Sequence, residues 1–411
     1  MPELIAWVDG YRVGRFTQQH VATGSRFVFE YSEDATSPDL VSLTMVPLPH
    51  SRRFETSTFP PAFEMILPEG ERRQRIEAAR KIVRTDDFSL LSYVGANPVN
   101  RVRFLRPDAD PNEEMPRLPT PREIQNCQAG QALFEKLMHD VDLRQGIAGV
   151  QPKVLGQIAP GTKRSPDPRQ QRGSTHILKA STPTFPHLAA NESICLEVFA
   201  AAGLATCNTT LSADGELLLV ERFDVLPDGR HLGFEEAAAL MGETSATKYQ
   251  RDYGSMIEIL SEFVGPNDES TLRHDLTLAL VLNWLLGNGD AHLKNFGVLY
   301  RDDLEVHPAP FYDCVATLPY LPEDVPALAL SFDWYSKAWW PRPKIEEFAQ
   351  TYGRLTRTET TRMFDRAFDA LDTGLKAARR LGRQIPEFLP LSERLRALWV
   401  ERRAALALQN R

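Results

Sequence analysis

The sequence predicts an α+β protein with a small N-terminal α/β subdomain, a mixed middle region and an all-helical C-terminal lobe. Three observations predict it. Strand-like runs separated by turn residues crowd the start of the chain, five prolines interrupt it between Arg106 and Arg122, and helical periodicity dominates from Phe234 onward. A chain of 411 residues is long enough for two or three domains and a sizeable core. Its net charge of -8 argues against a protein that coats nucleic acid through its overall field. Cys127, Cys195, Cys207 and Cys314 lie far apart without a CxxC pair, as expected of reduced thiols in a cytoplasmic protein. The start, Met1-Pro2-Glu3-Leu4, has no basic segment followed by an apolar run, so no signal peptide is expected. The longest apolar stretch, Leu276 to Leu286, is too short to span a bilayer and is expected to be a buried helix.

Residues 1–105 form the expected first domain. Asp9-Gly10 supplies the positive φ angles of a two-residue turn between Leu4–Val8 and Tyr11–Phe16. Arg26–Tyr31 and Val41–Val46 follow as strand candidates, Glu71–Val83 as a helix, and Thr85-Asp86-Asp87 as the start of another that stops at Gly95. This domain shows no catalytic constellation, so packing or partner contact is its expected task. Residues 106–122 read as an extended linker.

Residues 123–230 open with a helix over Glu123–His139 and reach Gly146-Ile147-Ala148-Gly149-Val150-Gln151-Pro152-Lys153. Glycines such as Gly149 let backbone N–H groups, with that of Val150, approach phosphates, and Lys153 adds charge; an ordinary hairpin turn fits the same pattern. A Pro-, Arg- and Gln-rich loop over 157–174 precedes the strand Thr175–Lys179. Asn191-Glu192 then opens a helix. Lys179 and Glu192 are either a surface lysine and a first-turn glutamate, or the strand-lysine and helix-glutamate pair of kinases. The apolar strand Leu217–Val220 runs into Glu221-Arg222-Phe223-Asp224, where a two-lobed kinase has its hinge.

Residues 231–411 carry the most informative stretch. An expected run of helices over 234–286 stops at Gly287, and Gly289-Asp290-Ala291-His292-Leu293-Lys294-Asn295-Phe296 follows. A kinase catalytic loop sets its base Asp five positions before a metal-binding Asn, and a second Asp holds magnesium. Asp290, Asn295 and Asp313 have that order, and a hairpin over Phe296–His307 returns the chain so that Asp313 can meet Asp290. Lys294 is placed to screen a transferred phosphoryl group, and His292 either orients the base or is structural. A tryptophan-rich segment over 315–342 and three amphipathic helices over 343–352, 358–381 and 391–409 complete the lobe.

Taken in order, Ala148–Lys153, His176–Lys179, Asn191-Glu192, Val220–Asp224, Gly289–Phe296 and Pro310-Phe311-Tyr312-Asp313 resemble the HipA family of bacterial toxin kinases, and Phe63–Glu71 resembles its N-terminal subdomain. The resemblance implies a two-lobed protein-kinase-like fold and a serine/threonine kinase using ATP and Mg²⁺. It implies a protein substrate of the translation machinery, such as an aminoacyl-tRNA synthetase, and neutralisation by a HipB-like helix-turn-helix antitoxin through which DNA is met only indirectly. By position, Asp290 is the implied base, Asn295 and Asp313 the magnesium ligands, and Lys153 and Lys179 the phosphate contacts. Glu221 and Phe223 present backbone to adenine, with Asp224 and His292 close by. One departure is notable: family members commonly carry a self-phosphorylated serine where this chain has Gly146. Any such switch here needs another hydroxyl, with Thr162, Ser165 and Ser174 as candidates. Two other readings stand beside this one, a non-catalytic kinase-like subunit of an antitoxin–DNA complex and a small-molecule kinase.

Overall fold

The computed structural model describes residues 2–22, 24–109, 116–140, 145–146, 151–158, 173–321, 328–332 and 337–407. Gly149, Val150, Thr162 and Ser165 lie outside these residues. The N-terminal strands β1 (Glu3–Val8), β2 (Tyr11–Val21), β3 (Gly24–Tyr31) and β4 (Arg53–Thr56) form an antiparallel meander. Helices α1 (Pro61–Glu64), α2 (Gly70–Arg80) and α3 (Asp87–Val94) follow. The short β5 (Asn97–Pro98) comes next, and β6 (Val102–Leu105) closes the sheet beside β1. Asp9 and Gly10 adopt the expected positive φ, and the Asp86 side chain caps α3 by accepting the Ser89 N–H. Phe16, Phe29, Phe63 and Phe104 pack together in this domain's core.

Val41–Val46 is not a strand. Val41, Leu43 and Met45 are buried, but Tyr31 of β3 accepts the Val41 N–H and donates to the Met45 carbonyl at 2.6 Å. A side chain thus satisfies backbone groups that a sheet would otherwise pair.

The middle region holds α4 (Pro121–Gln125) and α5 (Gly130–Asp140) in place of the single helix read over 123–139. It continues through β7 (Gln145–Gly146), which pairs in parallel with β5, then β8 (Lys153–Gly156) and β9 (His176–Ala180). Helix α6 (Leu188–Ala201), β10 (Thr209–Leu211) and β11 (Leu217–Glu221) complete a four-stranded sheet in the order β10-β11-β9-β8. Helix α6 begins at Leu188, so Asn191 and Glu192 lie inside it, both buried.

The C-terminal lobe contains β12 (Gly233–Glu236), α7 (Ala237–Leu240), α8 (Tyr253–Phe263) and α9 (Pro266–Leu286). Strands β13 (Gly297–Tyr300) and β14 (Val306–Pro308) precede α10 (Arg342–Thr351), α11 (Arg357–Gln384) and α12 (Leu389–Ala407). It is helical apart from the three-stranded sheet β12-β13-β14. Residues 234–236, expected as the start of a helix, belong instead to β12, because that strand pairs with β13 across 60 residues of intervening helix and loop, which local periodicity does not register. Helix α9 is buried all along its second half, and α11 and α12 pack around it. The indole of Trp399 on α12 donates to the Leu286 carbonyl at 3.0 Å. No helix among the described residues is long and apolar enough to cross a membrane.

The N-terminal domain is fastened to the remainder by buried polar contacts. Glu235 on β12 accepts the Ser42 hydroxyl at 2.7 Å and the Leu43 N–H at 2.9 Å, and the Arg101 guanidinium donates to the carbonyls of Leu40 and Arg301. Burial pushes the Glu235 carboxyl from its ordinary value of 4.5 up to about 7. The folded state therefore holds this proton more tightly than the unfolded chain does. The resulting stability is complete below the ordinary carboxyl range and is lost as pH rises through about 7. Glu236, also pushed up by burial to about 7, acts in the same direction. Glu235→Gln should flatten this fall in thermal unfolding followed from pH 5 to pH 8: the variant should match the wild type at the acid end and exceed it at the alkaline end. A variant that melts below the wild type at pH 8 contradicts this account.

Candidate active site

Strands β8 and β9 pair with Lys153 directly opposite Lys179, so the two side chains emerge on the same face of the sheet. Both are buried. Lys179 is no surface lysine: its ammonium lies 2.5 Å from Glu192 of α6 and also contacts Asp313. Helix α6 fixes both partners at once. Glu192 reaches the lysine, while the neighbouring Asn191 amide donates to the Ala316 carbonyl at 2.8 Å and accepts the Ala316 N–H at 3.0 Å, anchoring the chain just beyond Asp313. Asp313 itself adopts a left-handed backbone with φ 51°.

The charges are ordered by this arrangement. Although burial opposes ionisation, Lys179 and Lys153 hold the Asp313 carboxyl far below the usual range. Burial, with the Asp313 charge, raises Glu192 against the pull of Lys179. Lys179 stays charged because two carboxylates outweigh its desolvation, whereas Lys153 is lowered by burial and the adjacent Lys179.

The stretch Gly289–Phe296, expected to hold the catalytic loop, follows where α9 stops. Gly287 caps the helix at φ 73°, a conformation that L side chains rarely adopt, and a Cβ there would meet the Leu398 and Leu318 side chains at about 3 Å. Asn288 then accepts the Asp290 N–H at 2.9 Å, and its own amide donates to Asn283 of α9. Tyr253 of α8 donates to the Ala291 carbonyl at 2.9 Å. Asn295 folds back so that its side-chain oxygen accepts the His292 N–H at 2.9 Å. His292 is buried and pushed down to about 3. It is neutral, with Nδ1 accepting the Lys294 N–H and the ring proton on Nε2.

Several expected site residues take other positions. Lys294 does not face the lysine cluster. Its ammonium turns to Glu69 at 2.7 Å, Ser245 Oγ at 3.1 Å and Glu236 at 3.6 Å. Asp224 is 1 % exposed and its carboxylate is taken by the guanidinium of Arg222, so its side chain is not open to a ribose. Ser174 is also buried, accepting from Arg222 at 2.6 Å, which removes it as an accessible acceptor hydroxyl. Glu221 ends β11, its backbone N–H donating to the Asn208 carbonyl and its carboxylate accepting from the Asn208 amide. Phe223 packs against Phe234 and Tyr312, forming an aromatic wall next to the hinge segment. The cavity of about 460 Å³ lined by Asp9, Arg101, Arg222 and His231 is not lined by Lys153, Lys179, Asp290 or Asp313.

Three contributors carry no chemical signal in the sequence, and of them only Glu69 lies in a stretch of family resemblance, Phe63–Glu71, which marks the N-terminal subdomain. Tyr249 donates its hydroxyl to Asp290 at 2.6 Å. Burial raises the Asp290 carboxyl, and this bond with the nearby Lys248 opposes that rise. Lys248 pairs with Glu69 at 2.9 Å. Glu69 was read only as part of an N-terminal domain remote from chemistry, and nothing in local spacing links it to residue 248 or 294.

A family model described as the HipA-like C-terminal domain matches residues 145–402, and one described as the HipA N-terminal domain matches residues 4–105. The chain belongs to the HipA family. It is 32 % identical over 348 residues to "Putative kinase Y4mE" of Sinorhizobium fredii, covering 80 % of each chain. It is 24 % identical over 276 residues to the serine/threonine-protein kinase toxin HipA of Shewanella oneidensis, covering 62 % of each. The structure also matches HipA solved in complex with HipB and operator DNA from Shewanella oneidensis, with a TM-score of 0.71 at 19 % identity over 98 % of this chain and 96 % of that one. The two-lobed kinase-like fold is therefore shared with a HipA protein, and the chain sits in a family of kinases.

Removing Lys179 leaves the buried Glu192 and the partly exposed Asp313 without the cation that pairs with both. Lys179→Met should destabilise the fold by about 3–5 kcal/mol in chemical denaturation. Adding Glu192→Gln should restore part of the loss; a double variant no more stable than Lys179→Met would show that the pair is not coupled.

Proposed function

We propose that this HipA-family chain is an ATP- and Mg²⁺-dependent serine/threonine protein kinase of the toxin type. The observation that carries the reading is the convergence of Lys153, Lys179 and Asp313 from β8, β9 and the segment after β14, with Glu192 behind them. Two lysines on one face of a sheet offer charge of the sign that a triphosphate requires, and Asp313, kept ionised, supplies a hard oxygen ligand. Asp313 and Asn295 are the residues that would hold the metal. The described residues contain no cluster of three or more His, Cys, Asp or Glu side chains arranged for an ion. Such a site leaves most of the shell to water and phosphate oxygens, the coordination that Mg²⁺ favours. When bound, Mg²⁺ neutralises charge developing between the β- and γ-phosphates.

The protein's own groups account for the rest. Asp290 accepts the proton of the attacking hydroxyl, its carboxylate oriented by Tyr249. Lys179 orients the phosphates and is itself held by Glu192, so little reorganisation is needed at the moment of transfer. Lys294 acts as a pin beneath the catalytic loop, in place of a direct phosphoryl contact. The acceptor is a hydroxyl of a translation-related protein, and a HipB-like antitoxin is the neutralising partner. The solved complex of a HipA with HipB and operator DNA supports the antitoxin partner, while the translation-related acceptor follows only from the family resemblance.

With γ-labelled ATP and Mg²⁺, the purified chain should transfer label to serine or threonine, and chelation should stop transfer. Asp290→Asn should lower the rate by about 10²–10⁴-fold while ATP binding persists. Expressed in cells, the wild type should arrest growth and Asp290→Asn should not. Equal arrest by both, with no transferred phosphate, would remove the kinase reading.

A further inference from the structure

We propose that Glu69, a residue of the N-terminal domain, is a positioning residue of the phosphoryl-transfer site, so that docking of this domain sets the catalytic rate. The inference rests on the kinase reading above. Glu69 immediately precedes α2, and its carboxylate bridges two lysines from separate segments, Lys294 at 2.7 Å and Lys248 at 2.9 Å. All three side chains are largely shielded from water. Each lysine sits beside a group of the site. Lys248 precedes Tyr249, whose hydroxyl holds Asp290, and the Lys248 carbonyl accepts the Leu293 N–H at 3.4 Å. Lys294 lies between Leu293 and Asn295 and donates its N–H to His292.

Neighbouring contacts on the same stretch reinforce the bridge. The Glu64 carboxylate accepts the Ser245 N–H at 3.1 Å and its hydroxyl at 3.2 Å, and Ser245 Oγ in turn accepts from Lys294. Arg72, in the first turn of α2, donates to the Lys153 carbonyl at 3.0 Å. Residues 64–72 therefore touch both sides of the cleft, the strand carrying Lys153 and the loop carrying Asp290. The two lysines hold the Glu69 carboxyl down at about 2 despite its burial, so the bridge is charged at neutral pH.

Neutralising Glu69 leaves Lys294 with Glu236 at 3.6 Å, whereas Lys248 loses the only carboxylate paired with it among the described residues. The freed Lys248 ammonium is then drawn to Asp290, the carboxylate that must accept the substrate proton, and Tyr249 is displaced with it. A residue that merely fastened the two domains together would lower stability without changing turnover of the folded molecules.

The test compares wild type, Glu69→Gln, Glu69→Asp, Lys248→Met and the Glu69→Gln/Lys248→Met double variant as full-length chains. Phosphoryl transfer, KM for ATP, thermal stability and amide hydrogen exchange over 248–250 and 290–296 are measured for each. Glu69→Gln should lower kcat about tenfold or more, as expected of misplaced catalytic groups, with KM for ATP within about twofold. Exchange in both segments should quicken. Glu69→Asp should recover part of kcat, and Glu69→Gln should cost much less in the Lys248→Met background, where no lysine is freed. Unchanged kcat and unchanged loop exchange in a folded Glu69→Gln, whatever its melting temperature, overturn the proposal. A wild type without transfer defeats the kinase reading instead, and the exchange data still decide whether Glu69 holds the loop. Should Glu69→Gln fail to fold, the Glu69→Asp and Lys248→Met variants decide by the same readouts.

Discussion

A lysine ammonium buried beside two carboxylates is the constraint on which the kinase-like half of this chain depends. Lys179 has no access to bulk water, so its charge is tolerable only if Glu192 and Asp313 are delivered to it. That requirement fixes where α6 must lie against β9 and where the chain after β14 must turn. Asn191 serves the same end through the backbone of Ala316. A pair of groups chosen for hydrophobic isosteres would be at least as stable. The ionic choice suits the phosphate-binding role proposed for the site.

A second layer of constraint comes from the boundary with the N-terminal domain. Glu235, Arg101 and Glu64 all make polar contacts across it, Arg101 to the Arg301 carbonyl, and Leu40 and Leu43 join the main core of the larger region. The boundary is thus not a loose linker contact of the kind that the proline-rich stretch after Arg106 implies. It is closer to a domain core interrupted by carboxylates, and it places Glu69 against the catalytic loop.

What could be read from the sequence follows from how local each signal is. The Asp9-Gly10 turn, the α3 start at Asp86 and the end of α9 at Gly287 are set by one or two residues with special backbone or capping chemistry, and the structure agrees with them. The Lys179–Glu192 pair was legible only as a spacing with two meanings. Burial decides between them, and burial is a property of the folded whole. Val41–Val46 and residues 234–236 depart from their local patterns because a tyrosine hydroxyl and a distant strand, respectively, determine what their backbones do. Lys294 carried the right residue type at the right place, yet its direction depends on Glu69, 225 positions away. Tyr249 and Lys248 sit in a turn with no periodicity to mark them.

The left-handed backbone at Asp313 narrows what evolution can place there. The φ of 51° favours glycine, asparagine or aspartate, since a larger side chain meets its own backbone in that region. Lys179 separately demands a negative charge within reach. Lys81, His187 and Arg354 hold the same backbone region with longer side chains, so the turn tolerates other residues at a cost, whereas aspartate meets the backbone preference and supplies the charge with one short side chain.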